Sequence, residues 1–377
     1  MSNWKLVRLE FGRNPVHFGE VGIGLEETSE RVRSDTLFSA WINAYARCFG
    51  KVKVESLLDR FLQNDSPPVR MSSTFVFRKA NDQLIYYLPK PLGRPRKYPK
   101  ENDLEFFKTY KKLRYLPLEI WQRWYQGKGF IDADAEELKE QAQNKTASGL
   151  LQNAGTFNYS DAFQRDRLPK VAIDRTTRST NFYHTGFVQF AWEAKESSNS
   201  GDTKQQESQD NSVESQAGLY FLLNFSQKDS LLEDELHSAL ILLGDEGLGG
   251  ERSSGAGRFK IAAWEELSQA WQDVVSFDKG THYSLMSVFW KKSLPADFIK
   301  ESSYDFLERG GWIGSTFSGK QQRRKKVRMF AEGSIFKMQP MGMLANVTPH
   351  RFNRHQIYRN GLSLSLPIAI DPLQKNS

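Results

Sequence analysis

One loop limits what this chain can become. Residues 244–258 read Gly-Asp-Glu-Gly-Leu-Gly-Gly-Glu-Arg-Ser-Ser-Gly-Ala-Gly-Arg. Before the loop, residues 231–243 place apolar side chains at helical spacing. After it, residues 258–263 alternate like a strand. The order is helix, glycine loop, strand. A nucleotide-hydrolysing phosphate loop needs strand, G-x-x-x-x-G-K-[ST], helix, and no Lys stands before Ser253. A dinucleotide fold has that same strand-first order and needs G-x-G-x-x-G, which is absent. Two readings remain. One is a flexible surface turn. The other is an anion cradle, since glycine tolerates positive φ and successive amides in such turns form nests. Arg252, Ser253, Ser254 and Arg258 are all donors and favour the cradle.

Charge and aromatic content point the same way. The net charge of +7 favours a polyanionic partner. The 26 Phe, 13 Tyr and 9 Trp supply core and, at the surface, stacking planes. A chain of 377 residues has room for two or three domains. With a single cysteine no disulfide framework forms, which fits a reducing cytoplasm. Cys48 falls inside a predicted helix and reads as a small buried hydrophobe. The first residues lack an apolar signal core and no run reaches membrane-span length. A soluble cytoplasmic protein without membrane contact is expected.

The periodicities give an element order. A strand is predicted over 5–11, helices over 36–47 and 55–63, and strands over 70–77 and 84–88 with a hairpin turn at 80–82. Residues 93–165 read as helical and basic in part, with 131–165 polar and mobile. Strands cover 171–192 and 218–225, and residues 193–217 read as a disordered hairpin tip. A composition break near 276–280 opens a C-terminal unit. It has a predicted helix at 296–308, strands at 312–317 and 327–336, and a closing strand at 362–367. The expected fold class is α+β with antiparallel sheets. It comprises a ferredoxin-like (RRM-like) domain over 1–268, with insertions, and a smaller C-terminal α+β domain over 277–377. The open face of such a sheet is the RNA platform of RRM domains.

Arg175-Thr-Thr-Arg178 sits between strand candidates. Two guanidinium forks with two hydroxyls suit a phosphodiester backbone, whereas the alternative is a surface turn paired with Asp174. Leu37, Phe38, Trp41 and Ile42 have core spacing. The basic run 320–328, with Arg323, Arg324 and Lys325, reads as an RNA contact or as a partner for an acidic protein face. No metal site is expected. His350 and His355 lack cysteine neighbours, and Asp132-Ala-Asp134 lies in the polar stretch.

Four segments carry a resemblance: Arg31-Val-Arg-Ser-Asp-Thr-Leu-Phe-Ser-Ala40; Leu88-Pro-Lys-Pro91; Val171-Ala-Ile-Asp-Arg-Thr-Thr-Arg-Ser179 with Phe182-Tyr183; and Gly247-Leu-Gly-Gly-Glu-Arg-Ser-Ser-Gly-Ala-Gly257. In this order they resemble the RAMP superfamily of CRISPR proteins. Within it they resemble the subunit-four family of Csm-type, type III-A effectors. Asn346-Val-Thr-Pro349 and the closing strand are similar to that family's C-terminal domain. The resemblance implies a non-catalytic subunit without cofactor, active in antiviral defence. It implies binding of the repeat-derived 5′ tag of crRNA at one end of a filament. The partners implied are the large polymerase-like subunit and the backbone RAMP subunits. Carried over, Gly249, Gly250, Arg252, Ser253, Ser254, Gly255 and Gly257 cradle tag phosphates. Arg31, Arg33 and Ser34 lie near the same RNA, as do Arg175, Thr176 and Arg178, with Lys90 on the basic rim. The enlarged 193–217 segment and the basic run depart from the family pattern. Some RAMP relatives cleave precursor RNA without metal, and His17 and His184 are the residues for that alternative.

Overall fold

The computed structural model describes residues 3–19, 26–63, 66–80, 83–99, 104–194, 213–215, 217–314 and 322–371. Strand β1 (Trp4–Glu10) is apolar on both faces: Val7 and Leu9 enter one core and Leu6 the other. Helix α1 (Ser34–Leu62) follows, and Gly50, at φ +79°, breaks it into the two expected helices. Leu37, Phe38 and Trp41 are buried and Ile42 half-buried, as their spacing requires. Cys48 is exposed instead of buried. The core positions on that turn belong to Ala44 and Tyr45.

Next come β2 (Val69–Met71), β3 (Phe75–Ala80) and β4 (Gln83–Pro89). An insertion then supplies α2 (Leu104–Lys112), β5 (Tyr115–Pro117), α3 (Leu118–Tyr125), α4 (Asp132–Ala142) and α5 (Leu150–Asn153). A long hairpin, β6 (Phe163–Ile173) and β7 (Thr180–Phe190), leads to β8 (Trp192–Ala194) and β9 (Val213–Ser215). The chain returns through β10 (Ala217–Phe225), α6 (Ser230–Glu246), β11 (Lys260–Glu266) and α7 (Gln269–Val275). Most of the segment expected as a disordered tip lies outside the described residues.

The main sheet runs β11-β1-β10-β3-β4-β5, with β2 pairing on β10. Its pairings are antiparallel. Take β1, α1, β3, β10, α6 and β11 as the six ferredoxin elements. The strands then stand in the order fourth, first, third, second, which is that fold's order. The expected partner of the 70–77 strand does not take the centre: the 84–88 segment pairs on the outer side of β3, and β10 lies inside. Everything from β4 to β9 is inserted between the second and third ferredoxin strands.

Helices α1 and α6 cover one face of the sheet. The other face is not open. Phe75, Phe77, Tyr220 and Leu222 are buried there, against Trp121, Trp124 and Trp271 and the C-terminal Ile335, Leu366 and Ile368. An RRM-type stacking platform is therefore filled with core. The C-terminal strands are β12 (His282–Leu285), β13 (Phe306–Arg309), β14 (Val327–Phe330), β15 (Ile335–Phe336), β16 (Leu344–Asn346), β17 (Tyr358–Asn360) and β18 (Ser365–Ile368). The helix expected at 296–308 is a single turn, Ala296–Ile299; from Ser303 the chain bridges to Ile335 and continues into β13. The stretch expected to be mobile holds α4, pinned by Asp134. That wholly buried carboxylate accepts from Arg123, from the Trp124 indole at 3.0 Å and from the Ile131 amide at 3.0 Å.

Candidate nucleic-acid interface

The glycine loop is a fixed structure. Gly257 has φ +80° and Gly249 φ +102°, and a Cβ on either would strike a carbonyl oxygen, that of Leu248 or of His17. Close backbone approach is thus the reason for both glycines. The amides of the loop are largely spent inside the protein. Gly250 donates to the His17 carbonyl and Gly257 to that of Pro15, each at 2.8 Å. Gly247 and Leu248 donate to Leu243 and Gly257, and Ser254, Gly255 and Ala256 close a tight turn on Glu251 and Arg252. An open nest of glycine amides is not what the loop presents. It presents side chains: Arg252, Ser253, Ser254 and Arg258 are all exposed.

His17 locks this loop to the long hairpin. Its carbonyl holds Gly250, and its buried ring places Nδ1 2.7 Å from the carbonyl oxygen of Gly186 on β7. A second tie is the ion pair between Lys170 on β6 and Glu251 in the loop. At about 3.3 Å per residue, the hairpin tip stands roughly 15 Å beyond Lys170. The tip is the Arg175–Arg178 turn. Asp174 does not pair with the arginines there. Its carboxylate accepts the amides of Thr177 at 3.1 Å and Thr176 at 2.7 Å, which hold it below the usual carboxylate range. Arg178 adopts φ +58° to close the turn. Among the described residues, Arg175, Arg178, Arg252 and Arg258 enter no ion pair. Four exposed guanidinium groups without acidic partners, on two elements tied side by side, are suited to an anionic polymer.

Other predicted residues lie elsewhere. Arg31 is buried: both terminal nitrogens donate to Glu332 at 3.1 Å and Nε donates to the Tyr115 hydroxyl at 2.6 Å. Arg33 pairs with the same carboxylate. Ser34 is wholly buried, its hydroxyl accepting from the Val288 amide at 3.1 Å. Burial alone would raise Glu332, but Arg31 and Arg33 override it and hold the carboxyl far below its usual range. This trio is an internal clamp onto the C-terminal unit and not part of the exposed surface. Asp35 next to it does the same work, bound by Arg309 at 2.9 Å and by Arg359. Lys90 is also not on a rim. It donates to the Tyr110 carbonyl and sits 3.8 Å over that ring, and burial pushes its pKa down to about 7.

Arg323 and Lys325 are exposed, while Arg324 is tucked in, its Nε 3.0 Å from the Trp312 carbonyl. His184 lies half-buried on β7 beside Phe182. It does not join His17, whose Nδ1 is occupied. Among the described residues no cluster of metal-ligating side chains occurs, and no helix is long and apolar enough to cross a membrane. Lys170 belongs to no motif, and Glu251 sits in the glycine loop without being one of its donors; only the fold brings the two together.

Comparison with known proteins points to one family. The CRISPR Csm4 C-terminal domain matches residues 278–368. A Csm4 protein of Methanocaldococcus jannaschii is 27% identical over 93% of this chain and 94% of its own. One from Thermococcus onnurineus is 27% identical over 90% and 92%. Along nearly its whole length the chain is similar to Csm4 proteins. In fold it resembles a chain of a solved Csm3-Csm4 subcomplex of the type III-A CRISPR-Cas interference complex, with TM-score 0.57 and 18% identity over 97% of this chain and 99% of that one. It also resembles a chain of a Csm1-Csm4 cassette solved with cA4, with TM-score 0.52 and 18% identity over 98% of each.

Proposed function

We propose that this chain is a non-catalytic subunit of a type III-A CRISPR effector, one that grips the 5′ tag of the crRNA between the glycine loop and the Arg175–Arg178 hairpin. It would dock a large polymerase-like subunit of the Csm1 type and a backbone subunit of the Csm3 type, as the related subunits do in the complexes named above. The observation that carries this is the set of four exposed arginines without acidic partners among the described residues. Arginine forks bind phosphate oxygens bidentately, and such contacts position a strand without reading its sequence. The glycines act indirectly. They let the loop lie against the segment of Pro15 and His17, from which Arg252, Ser253 and Arg258 project.

A metal-independent endoribonuclease is the other reading of this fold. It finds little support, because His17 is buried and its Nδ1 is committed to Gly186. The test is a tag footprint on the assembled complex. Arg252→Ala with Ser253→Ala should expose tag nucleotides to chemical probing and weaken guide retention. An unchanged footprint removes the loop from the RNA site. Cleavage of repeat RNA in EDTA, lost on His184→Ala, would establish the enzyme instead.

A further inference from the structure

The C-terminal unit carries a second basic surface, on different elements from the loop and the hairpin. Residues 311–313 and 322–324 form a short ladder: Ile313 donates to the Gln322 carbonyl at 2.9 Å and Arg324 to that of Gly311 at 2.8 Å. The ladder lies against α1, where Asn43 donates to the Gly314 carbonyl at 3.0 Å. It leaves Trp312 47% exposed, and Arg323, directly opposite, lays its guanidinium 4.9 Å over the indole. The next exposed cation is Lys325, whose amide donates to the Val347 carbonyl at 2.9 Å. Val347 is also the base of a turn closed by Ile357, and that turn exposes Arg351 and Arg354. The nearby Lys326 is neutralised by Glu308 at 2.6 Å. Among the described residues, Arg323, Lys325, Arg351 and Arg354 have no acidic partner.

We propose that Trp312 and Arg323, with Lys325, Arg351 and Arg354, form a second surface for single-stranded RNA. Cations alone would suit an acidic protein face equally well. An exposed indole capped by a planar guanidinium adds what a protein face does not require: an aromatic plane on which an unpaired base stacks beside charges that follow its backbone. The contiguous sequence run is not the unit of recognition. Arg324 inside it is structural, whereas Arg351 and Arg354 outside it belong to the surface.

The experiment uses the full chain and a fluorescein-labelled oligouridine followed by anisotropy. The variant with Arg175, Arg178, Arg252 and Arg258 all changed to Ala isolates this surface from the loop and hairpin. It should retain measurable binding, and adding Trp312→Ala with Arg323→Ala should weaken that binding about tenfold. Trp312→Phe, which keeps a ring, should restore most of it. A 4-thiouridine probe should crosslink to the peptide containing Trp312. Unchanged affinity in the Trp312→Ala, Arg323→Ala protein overturns the proposal. So does unchanged RNA affinity combined with loss of large-subunit binding, because the surface would then be a protein face.

Discussion

Glu332→Ala tests whether the Arg31–Ser34 signature is an internal clamp. The carboxylate is 1% exposed and receives two bonds from Arg31, one from Arg33 and one from the Ser73 hydroxyl. Removing it leaves a buried Arg31 guanidinium with only Tyr115 to satisfy it. Breaking a buried pair from one side costs about 3–5 kcal/mol, because the surviving charge stays desolvated. For a protein of this size that corresponds to a Tm lower by roughly 4–6 °C. Arg31→Met with Glu332→Met removes the most buried pair, leaving only the less buried Arg33, and should recover much of the loss, since well-packed apolar replacements of buried pairs are often nearly neutral. Differential scanning calorimetry of the two single variants and the double gives the coupling directly. The reasoning is refuted if Glu332→Ala leaves the Tm unchanged while guide-RNA affinity falls, because Arg31 would then face the RNA.

Three further outcomes follow from the same structure. Gly249→Ala forces a Cβ into the His17 carbonyl at φ +102°, so it should displace the loop and lower guide affinity while Arg252 and Arg258 remain; unchanged affinity and unchanged proteolysis of the loop would contradict this. Lys170→Ala should loosen the loop–hairpin tie, raising hydrogen exchange at 250–256 with less than about 1 kcal/mol of global destabilisation. Glu332 titrates below its unfolded value of 4.5, so its contribution is complete above that pH and is lost as acidification approaches its lowered native pKa. A Tm series from pH 7 to about 3 should fall in the wild type and fall less in the double Met variant.

Much of the ferredoxin order was legible, because β1, α1, α6 and β11 each carry a clear local period. The position of β10 was not. Nothing in its own residues says that it pairs with both β1 and β3, and the hairpin signal at 80–82 points to β4 instead. The sheet face was misread for a related reason. Phe75, Phe77 and Tyr220 have the alternation of a stacking platform, and only the distant Trp271, Leu366 and Ile368 show that the face is covered. Residues 131–165 look polar since their ordering rests on a buried ion pair, Asp134 with Arg123, and not on a large apolar stripe. At the site, the hairpin arginines and the loop donors were legible as exposed cations. The consumption of the glycine amides was not, because their acceptors on Pro15 and His17 lie more than two hundred residues away in sequence.

The central claim is that four arginines on the loop and hairpin, without acidic partners among the described residues, hold the guide strand. The most direct test is guide-RNA affinity of the assembled complex across a salt series, for the wild type and for Arg175, Arg178, Arg252 and Arg258 changed together to Ala. Each lost single-strand phosphate contact should flatten the slope of log affinity against log salt by about 0.7, or roughly 2.8 for all four. An unchanged slope and unchanged affinity would contradict the account.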